Sequence, residues 1–171
     1  ATVVPSPTVA PTAVPATADN WTAQVLASEQ FFGVSAASSE HVWVVGTLKI
    51  IKTADRGVTW EAQATEFDKG FTNVAAVDAL TAWAVGAGTI LRTIDGEVWE
   101  QQTGAPNEWL YGVDAIDANT AWIVGDKGTI LKTVNGGASW NAQNSGTTAQ
   151  LWAIEAVDSD VAWAVGAWER S

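Results

Sequence analysis

The sequence predicts an all-β protein: a run of four-stranded antiparallel β-propeller blades, forming a partial ring, behind an extended Pro/Thr-rich N-terminal arm. Three observations carry this expectation. A tryptophan inside an x-W-x-V-G run recurs at Trp43, Trp83, Trp122 and Trp163, with spacings of 40, 39 and 41 residues. A second column, Trp21, Trp60, Trp99 and Trp140, holds spacings of 39, 39 and 41. Between the columns lie short β-branched runs punctuated by Gly, Asp and Asn, with no amphipathic helical pattern of useful length. A β-rich period near 40 residues marks propeller blades rather than a helical solenoid.

Taken in order, residues 1–20 come first and hold four of the five prolines (Pro5, Pro7, Pro11, Pro15). Proline fixes φ and removes a ladder donor, so this arm favours extended polyproline-like backbone, with a reach on the order of 60 Å. Residues 21–171 then read as repeats of approximately 21–63, 64–102, 103–143 and 144–171. In each repeat Phe31–Ala36 and its equivalents form a first strand. A polar turn follows at Ser38, Asp78, Asp117 or Asp158. The Val42–Gly46 type of segment is the second strand, Gly128–Thr133 typifies the third, and Trp60–Gln63, Trp99–Gln102 and Trp140–Gln143 open the fourth. The 151 residues after the arm amount to about 3.8 repeats, and the last breaks off near Gly166 where its siblings continue. A blade buries both faces against neighbours, so two apolar faces are expected at the ends of the array. Further blades, a second chain, or docking in a larger assembly would cover them.

Composition narrows the function. Eight basic residues against 19 acidic ones give a net charge of −11, which opposes binding to nucleic-acid phosphates or, through a basic patch, to anionic lipid. Zero cysteines remove disulfides, thiolate catalysis and thiolate metal sites. The one histidine, His41, cannot build a multi-His metal centre and begins a strand, which gives it a surface or turn role. No apolar run approaches the roughly 20 residues of a membrane span. The absence of methionine marks Ala1 as the start of a processed or excised chain, and the Thr/Pro-rich arm suits an extracytoplasmic protein. Asn20-Trp21-Thr22 is an N-glycosylation sequon, with the Thr-rich arm an O-linked alternative.

The link from third to fourth strand is the most specific motif. Thr53-Ala54-Asp55-Arg56-Gly57-Val58-Thr59-Trp60 fits the Asp-box pattern Ser/Thr-x-Asp-x-Gly-x-x-Trp. Thr133, Asn135, Gly137 and Trp140 repeat it with Asn for Asp, and Thr93, Asp95, Gly96 and Trp99 repeat it one residue short. An Asx side chain accepts backbone N–H bonds across the turn, and Gly supplies positive φ. These turns are expected to be structural. Together, A-W-x-V-G, G-T-I-L-K/R-T and the Asp-box resemble the repeats of the photosystem II stability/assembly factor family of β-propellers, over nearly all of residues 21–166. The resemblance implies a closed seven-bladed ring without catalytic activity that chaperones early reaction-centre intermediates through an arginine-rich face. This chain has only Arg56, Arg92 and Arg170.

Four further groups are candidates for interaction. Lys52, Arg92 and Lys132 share one column at the end of the third strand; they read as solubilising rim charges paired with Asp, or as a row for an acidic partner. Asp114 and Glu155 share a column on the first strand, where they set channel polarity or converge as a carboxylate pair for acid/base work or cation binding. Tyr111, in a column with Phe32, Thr72 and Trp152, reads as a packing position. Eight of the 11 tryptophans fall in the two repeat columns and read as core, whereas Trp109 stands in a loop after Pro106-Asn107-Glu108 as a lid or an exposed anchor. No catalytic, cofactor or metal constellation emerges. The leading expectation is a non-catalytic exported scaffold for protein–protein interaction or complex assembly. The alternatives are an Asp-box carbohydrate-binding or glycoside-hydrolase-type propeller, and a structural subunit of an extracellular polymer.

Overall fold

The computed structural model describes residues 30–63, 67 and 69–167. The Pro/Thr-rich arm, Trp21, the sequon and Trp168 lie outside the described residues. The first blade comprises β1 (Phe31–Ala36), β2 (Val42–Gly46), β3 (Ile50–Thr53) and β4 (Glu61–Gln63). The second comprises β5 (Phe71–Ala76), β6 (Ala82–Gly86), β7 (Thr89–Thr93) and β8 (Glu100–Gln101), and the third β9 (Leu110–Ala115), β10 (Ala121–Gly125), β11 (Ile130–Thr133) and β12 (Asn141–Ala142). Each is an antiparallel meander in sequence order, and the fourth sheet pairs β13 (Leu151–Ala156) with β14 (Ala162–Gly166). Among the described residues there are therefore three four-stranded blades and one two-stranded one. The first strands β1, β5, β9 and β13 lie side by side along the array.

Local chemistry fixes the turns. Asp78 Oδ1 accepts the N–H groups of Leu80 and Thr81, both at 2.7 Å, and Asp117 and Asp158 do the same for their turns. Ser38 Oγ serves the first blade, accepting from Glu40 and His41 N–H, and its hydroxyl lies 3.2 Å from His41 Nδ1. His41 is thus part of a turn. The third strand of the third blade starts later than the sequence suggests, because Asp126–Gly128 form a short 3₁₀ turn with Lys127 at φ 56°.

The core lies between blades. Trp43, Val45, Ile50 and Leu91 pack with Phe71, Val74 and Trp99 at the first seam. Trp83, Val85 and Ile90 pack with Leu110, Val113 and Ile123 at the second, and Trp122 and Val124 with Leu151 and Ile154 at the third. Phe71 and Val74 share a face although three residues apart, because every first strand carries a β-bulge after its first residue. The second strand ends in Gly46, Gly86, Gly125 or Gly166 because a Cβ there would collide with the carbonyl oxygen of Gln30, Gly70, Trp109 or Gln150.

The two ends of the array are open among the described residues. Val34 on β1 is 67% exposed, whereas its equivalent Val74 is 3% exposed. At the other end Trp163 is 71% exposed, against 0% for Trp83 in the same column. The expectation that all repeat-column tryptophans are core therefore fails at Trp163. Its column is buried by the next blade, and no described residue follows it there.

Candidate functional site

The bulges build the candidate site. Register passes from Phe71–Gly86 to Asn73–Val85, leaving Thr72 as the extra, unpaired residue; Phe32, Tyr111 and Trp152 hold the same place in their blades. A bulge re-aims the side chain that it frees from the ladder. The packing role expected for Tyr111 is what the structure shows, but the column as a whole is not core: Phe32 and Trp152 are exposed, and Thr72 and Tyr111 are half-buried. Tyr111 packs against Trp152 with ring centroids 4.7 Å apart, and on its other side stacks with Trp109 at 6.5 Å and 11° between planes. Trp109 is placed by a bridge to Ala87 of the preceding blade and remains 46% exposed. It also forms one wall of an open groove of about 490 Å³, with Phe32, Leu48, Phe71 and Thr72 as further lining. An aromatic row thus runs from Trp109 through Tyr111 to Trp152, and the groove continues from Trp109 past Thr72 to Phe32 on the first blade.

Polar groups border its third-blade end. Asp126 Oδ1 accepts from Tyr111 Oη at 3.1 Å and from Gln150 Nε2 at 2.7 Å. Partial burial, and secondarily the Asp126 carboxylate, push the Tyr111 phenol above its usual range, so it stays a neutral donor. Glu108 meets Lys127 at 3.0 Å, and the hydrogen bond from that ammonium lowers the Glu108 carboxyl. The surroundings of the aromatic surface are consequently acidic and hydrogen-bonding, with Lys127 already engaged.

Within each Asp-box turn the Thr and Asx side chains satisfy the local backbone. In the first, Thr53 Oγ1 accepts from Gly57 N–H at 2.9 Å and donates to Asp55 Oδ1 at 2.8 Å, while Thr59 donates to Asp55 through N–H and hydroxyl at 2.8 and 2.6 Å. Asp95 accepts from Glu97 and Val98 N–H, with Thr93 bonded to Gly96 N–H, so the shortened copy keeps its turn. Asn135 accepts from Ser139 N–H at 3.0 Å, with Thr133 bonded to Gly137 N–H. Trp99 and Trp140 leave these turns sideways, meeting Trp43 and Trp83 of the preceding blade edge-on at 5.4 and 5.6 Å. This sideways exit explains why β8 and β12 begin one residue after Trp99 and Trp140, and β4 likewise begins one residue after Trp60.

The cation row also belongs to the seams. Lys52, Arg92 and Lys132 lie over Trp43, Trp83 and Trp122 at 4.6, 4.9 and 4.7 Å. Each reaches the following blade: Lys52 to Gly96 O at 3.5 Å, Arg92 to Gly136 O at 2.9 Å, and Lys132 to Asp160 at 3.4 Å. Arg92 also donates to Ala118 O at 2.6 Å. Asp114 is likewise occupied, accepting from Ala115 N–H at 2.8 Å and, across the seam, from Ala156 N–H at 2.7 Å. Glu155 is exposed at the open end. Among the described residues no group of three His, Cys, Asp or Glu side chains could hold a metal ion.

Repeated blades with Asp-box turns, stacked through tryptophan seams, define a BNR-type β-propeller array. The chain belongs to the family described as photosynthesis system II assembly factor YCF48, whose family model matches residues 13–159. Among solved structures it is similar to YCF48 bound to D1 peptide, at 24% identity and a TM-score of 0.65, covering 81% of this chain and 49% of that one. YCF48 from Cyanidioschyzon merolae is similar at 27% identity and a TM-score of 0.63, covering 75% and 47%. An ancestral GH74 enzyme shares the fold at 12% identity and a TM-score of 0.66, covering 80% of this chain and 22% of its own. The chain thus spans about half the length of the YCF48 structures. No curated protein matches it.

Proposed function

We propose that this chain is a non-catalytic, extracytoplasmic propeller scaffold that holds a protein partner during complex assembly, with the aromatic row as its capturing surface. The observation that carries the reading is the bulge column, which turns Phe32, Tyr111 and Trp152 out of the ladder beside Trp109. Exposed aromatics that neither complete a seam nor close a turn are suited to anchoring another molecule. Membership of an assembly-factor family supports a partner that is a protein, as does the D1 peptide bound to one YCF48 relative. The acidic border at Asp126, with the net charge of −11, favours a partner segment combining apolar and cationic side chains. The Pro/Thr-rich arm supports export; recovery of the protein only from the cytosol of its producing cells would refute that part.

Tryptophan fluorescence during titration with short peptides alternating Arg and Leu tests the reading. Binding is expected, weakened about tenfold or more by Trp109→Ala with Trp152→Ala and unchanged by Lys132→Ala. A second reading rests on the same platform: stacked Trp109 and Tyr111 beside Asp126 and Gln150 also suit a sugar ring. Response to oligosaccharides but not peptides would favour it, and silence toward both would overturn the assignment of this surface.

A further inference from the structure

Two columns at the start of the first strands differ from blade to blade. The residue before the strand runs Gln30, Gly70, Trp109 and Gln150, and the bulge residue runs Phe32, Thr72, Tyr111 and Trp152. The third blade fills both columns with rings, Trp109 stacked on Tyr111 at 6.5 Å and 11° between planes. The second blade keeps both small, with Gly70 and Thr72 in the places of Trp109 and Tyr111. Both small residues line the groove of about 490 Å³, whose walls include Phe32 and Leu48 on one side and Trp109 on the other. The groove is therefore the room that a pair of rings occupies one blade further on.

The floor of this groove offers a guest little polar competition. The Thr72 hydroxyl is engaged with the carbonyl oxygens of Val85 at 3.1 Å and Leu110 at 2.6 Å. A Cβ at Gly70 would stand 3.1 Å from the Thr47 carbonyl oxygen, a tight approach that favours glycine and keeps the floor low. Gly70 and Thr72 belong to the second blade, whose first strand has a described first strand on each side, so the groove owes nothing to where the array ends.

We infer that Gly70 and Thr72 set the specificity of the capturing surface: the groove takes one aromatic side chain of the partner segment, held between Phe32 and Trp109. The guest ring completes the aromatic row across the second blade. This rests on reading that row as the partner-binding surface. Apolar and cationic side chains suffice for the row; the groove adds the requirement of a ring at one position. Contact with the Trp109 and Phe32 rings favours an aromatic guest beyond the burial that any apolar side chain gains.

Calorimetric titration with three peptides tests it: the peptide alternating Arg and Leu, and the same peptide with its central Leu changed to Phe or to Gly. The Phe peptide is expected to bind more tightly than the Leu parent and about tenfold more tightly than the Gly peptide. Thr72→Tyr supplies the side chain that the third blade carries in this column, and should erase the preference for Phe. Thr72→Val keeps the size, removes only the hydroxyl, and should preserve it. In the wild-type complex, nuclear Overhauser contacts from the peptide Phe ring should fall on Phe32 and Trp109, a readout independent of how any variant folds. Three results would each overturn the inference: wild-type affinity for the Phe peptide no higher than for the Leu parent, ring contacts to Trp152 alone, or a Phe preference that survives in folded Thr72→Tyr. Loss of that preference in Thr72→Val would do the same, since it would assign the effect to the hydroxyl. Any of these leaves the row standing, because Trp109→Ala with Trp152→Ala decides it separately. Silence toward all three peptides would overturn both.

Discussion

The Asp-box turns and the first-strand bulges are the two places where each blade departs from plain antiparallel pairing, and they handle polarity in opposite ways. At the turns the Asx and Thr side chains are satisfied locally, and the carbonyls of Gly96 and Gly136 are taken by Lys52 and Arg92 of the preceding blade. The buried hydroxyls of Thr53, Thr93 and Thr133 tie the Asx carboxylate or amide to the N–H of a positive-φ glycine, and the tryptophan that follows is spent on the neighbouring blade. At the bulges the freed residue leaves the ladder: Phe32 and Trp152 are exposed, Tyr111 lies between Trp109 and Trp152, and Thr72 donates to Leu110 O of the next blade. Sequence repetition is strong at the first place and absent at the second. Where a side chain completes the fold it recurs; where it faces outward the blades carry Phe, Thr, Tyr and Trp.

The contrast can be broken most sharply with tryptophan. Trp83→Ala removes a ring that lies between Arg92 and Trp140 at a seam, and should lower unfolding free energy by about 3–5 kcal/mol in urea denaturation. Trp152→Ala, on the exposed row, should cost under about 1 kcal/mol in the same experiment while weakening peptide binding. Equal losses would erase the distinction between the two regions. Next in size is Thr133→Val, which keeps the shape of a fully buried side chain but deletes its bonds to Asn135 and to Gly137 N–H. Its expected cost is about 1–3 kcal/mol, with binding at the aromatic row intact.

The smallest effect is the response to acid. Hydrogen bonds from Thr59 hold the Asp55 carboxyl below its usual range, and backbone N–H groups of Val98 and Glu97 do so for Asp95. A carboxyl lowered in the folded state stabilises above its unfolded pKa of about 3.9, and that contribution disappears as pH falls through the folded value. Melting temperature should therefore drop below about pH 4, with a shallower drop in Asp55→Asn. The Asn135 turn does not titrate and supplies the internal control.

How much of this was legible in the sequence follows the same division. The strands, the Asp turns at Asp78, Asp117 and Asp158 and the Thr-Asx-Gly turns depend on residues within a few positions of one another, and local patterning exposes them. The bulge was hidden because it adds one residue without changing the repeat length; only the odd spacing of buried Phe71 and Val74 in the column alignment hints at it. The roles of Lys52, Arg92, Lys132 and Asp114 were hidden for another reason. Each contacts the blade that follows, some 40 residues on, and a column of like charges reads equally as rim or as recognition. Trp109 stood out as a loop aromatic and Tyr111 as a packing position, whereas the exposed row that they form with Trp152 emerges only once the bulge is known.

The unpaired residue at each bulge has a consequence for how such a molecule changes over generations. It stands outside the ladder, and where it is exposed, as at Phe32 and Trp152, a sound fold leaves it weakly constrained, whereas Thr72 is held by its hydroxyl's bond across the seam to Leu110 O at 2.6 Å. The exposed positions are therefore the editable ones, and they line up along the array. A lineage can rewrite what the surface recognises one repeat at a time while the architecture beneath is inherited unchanged.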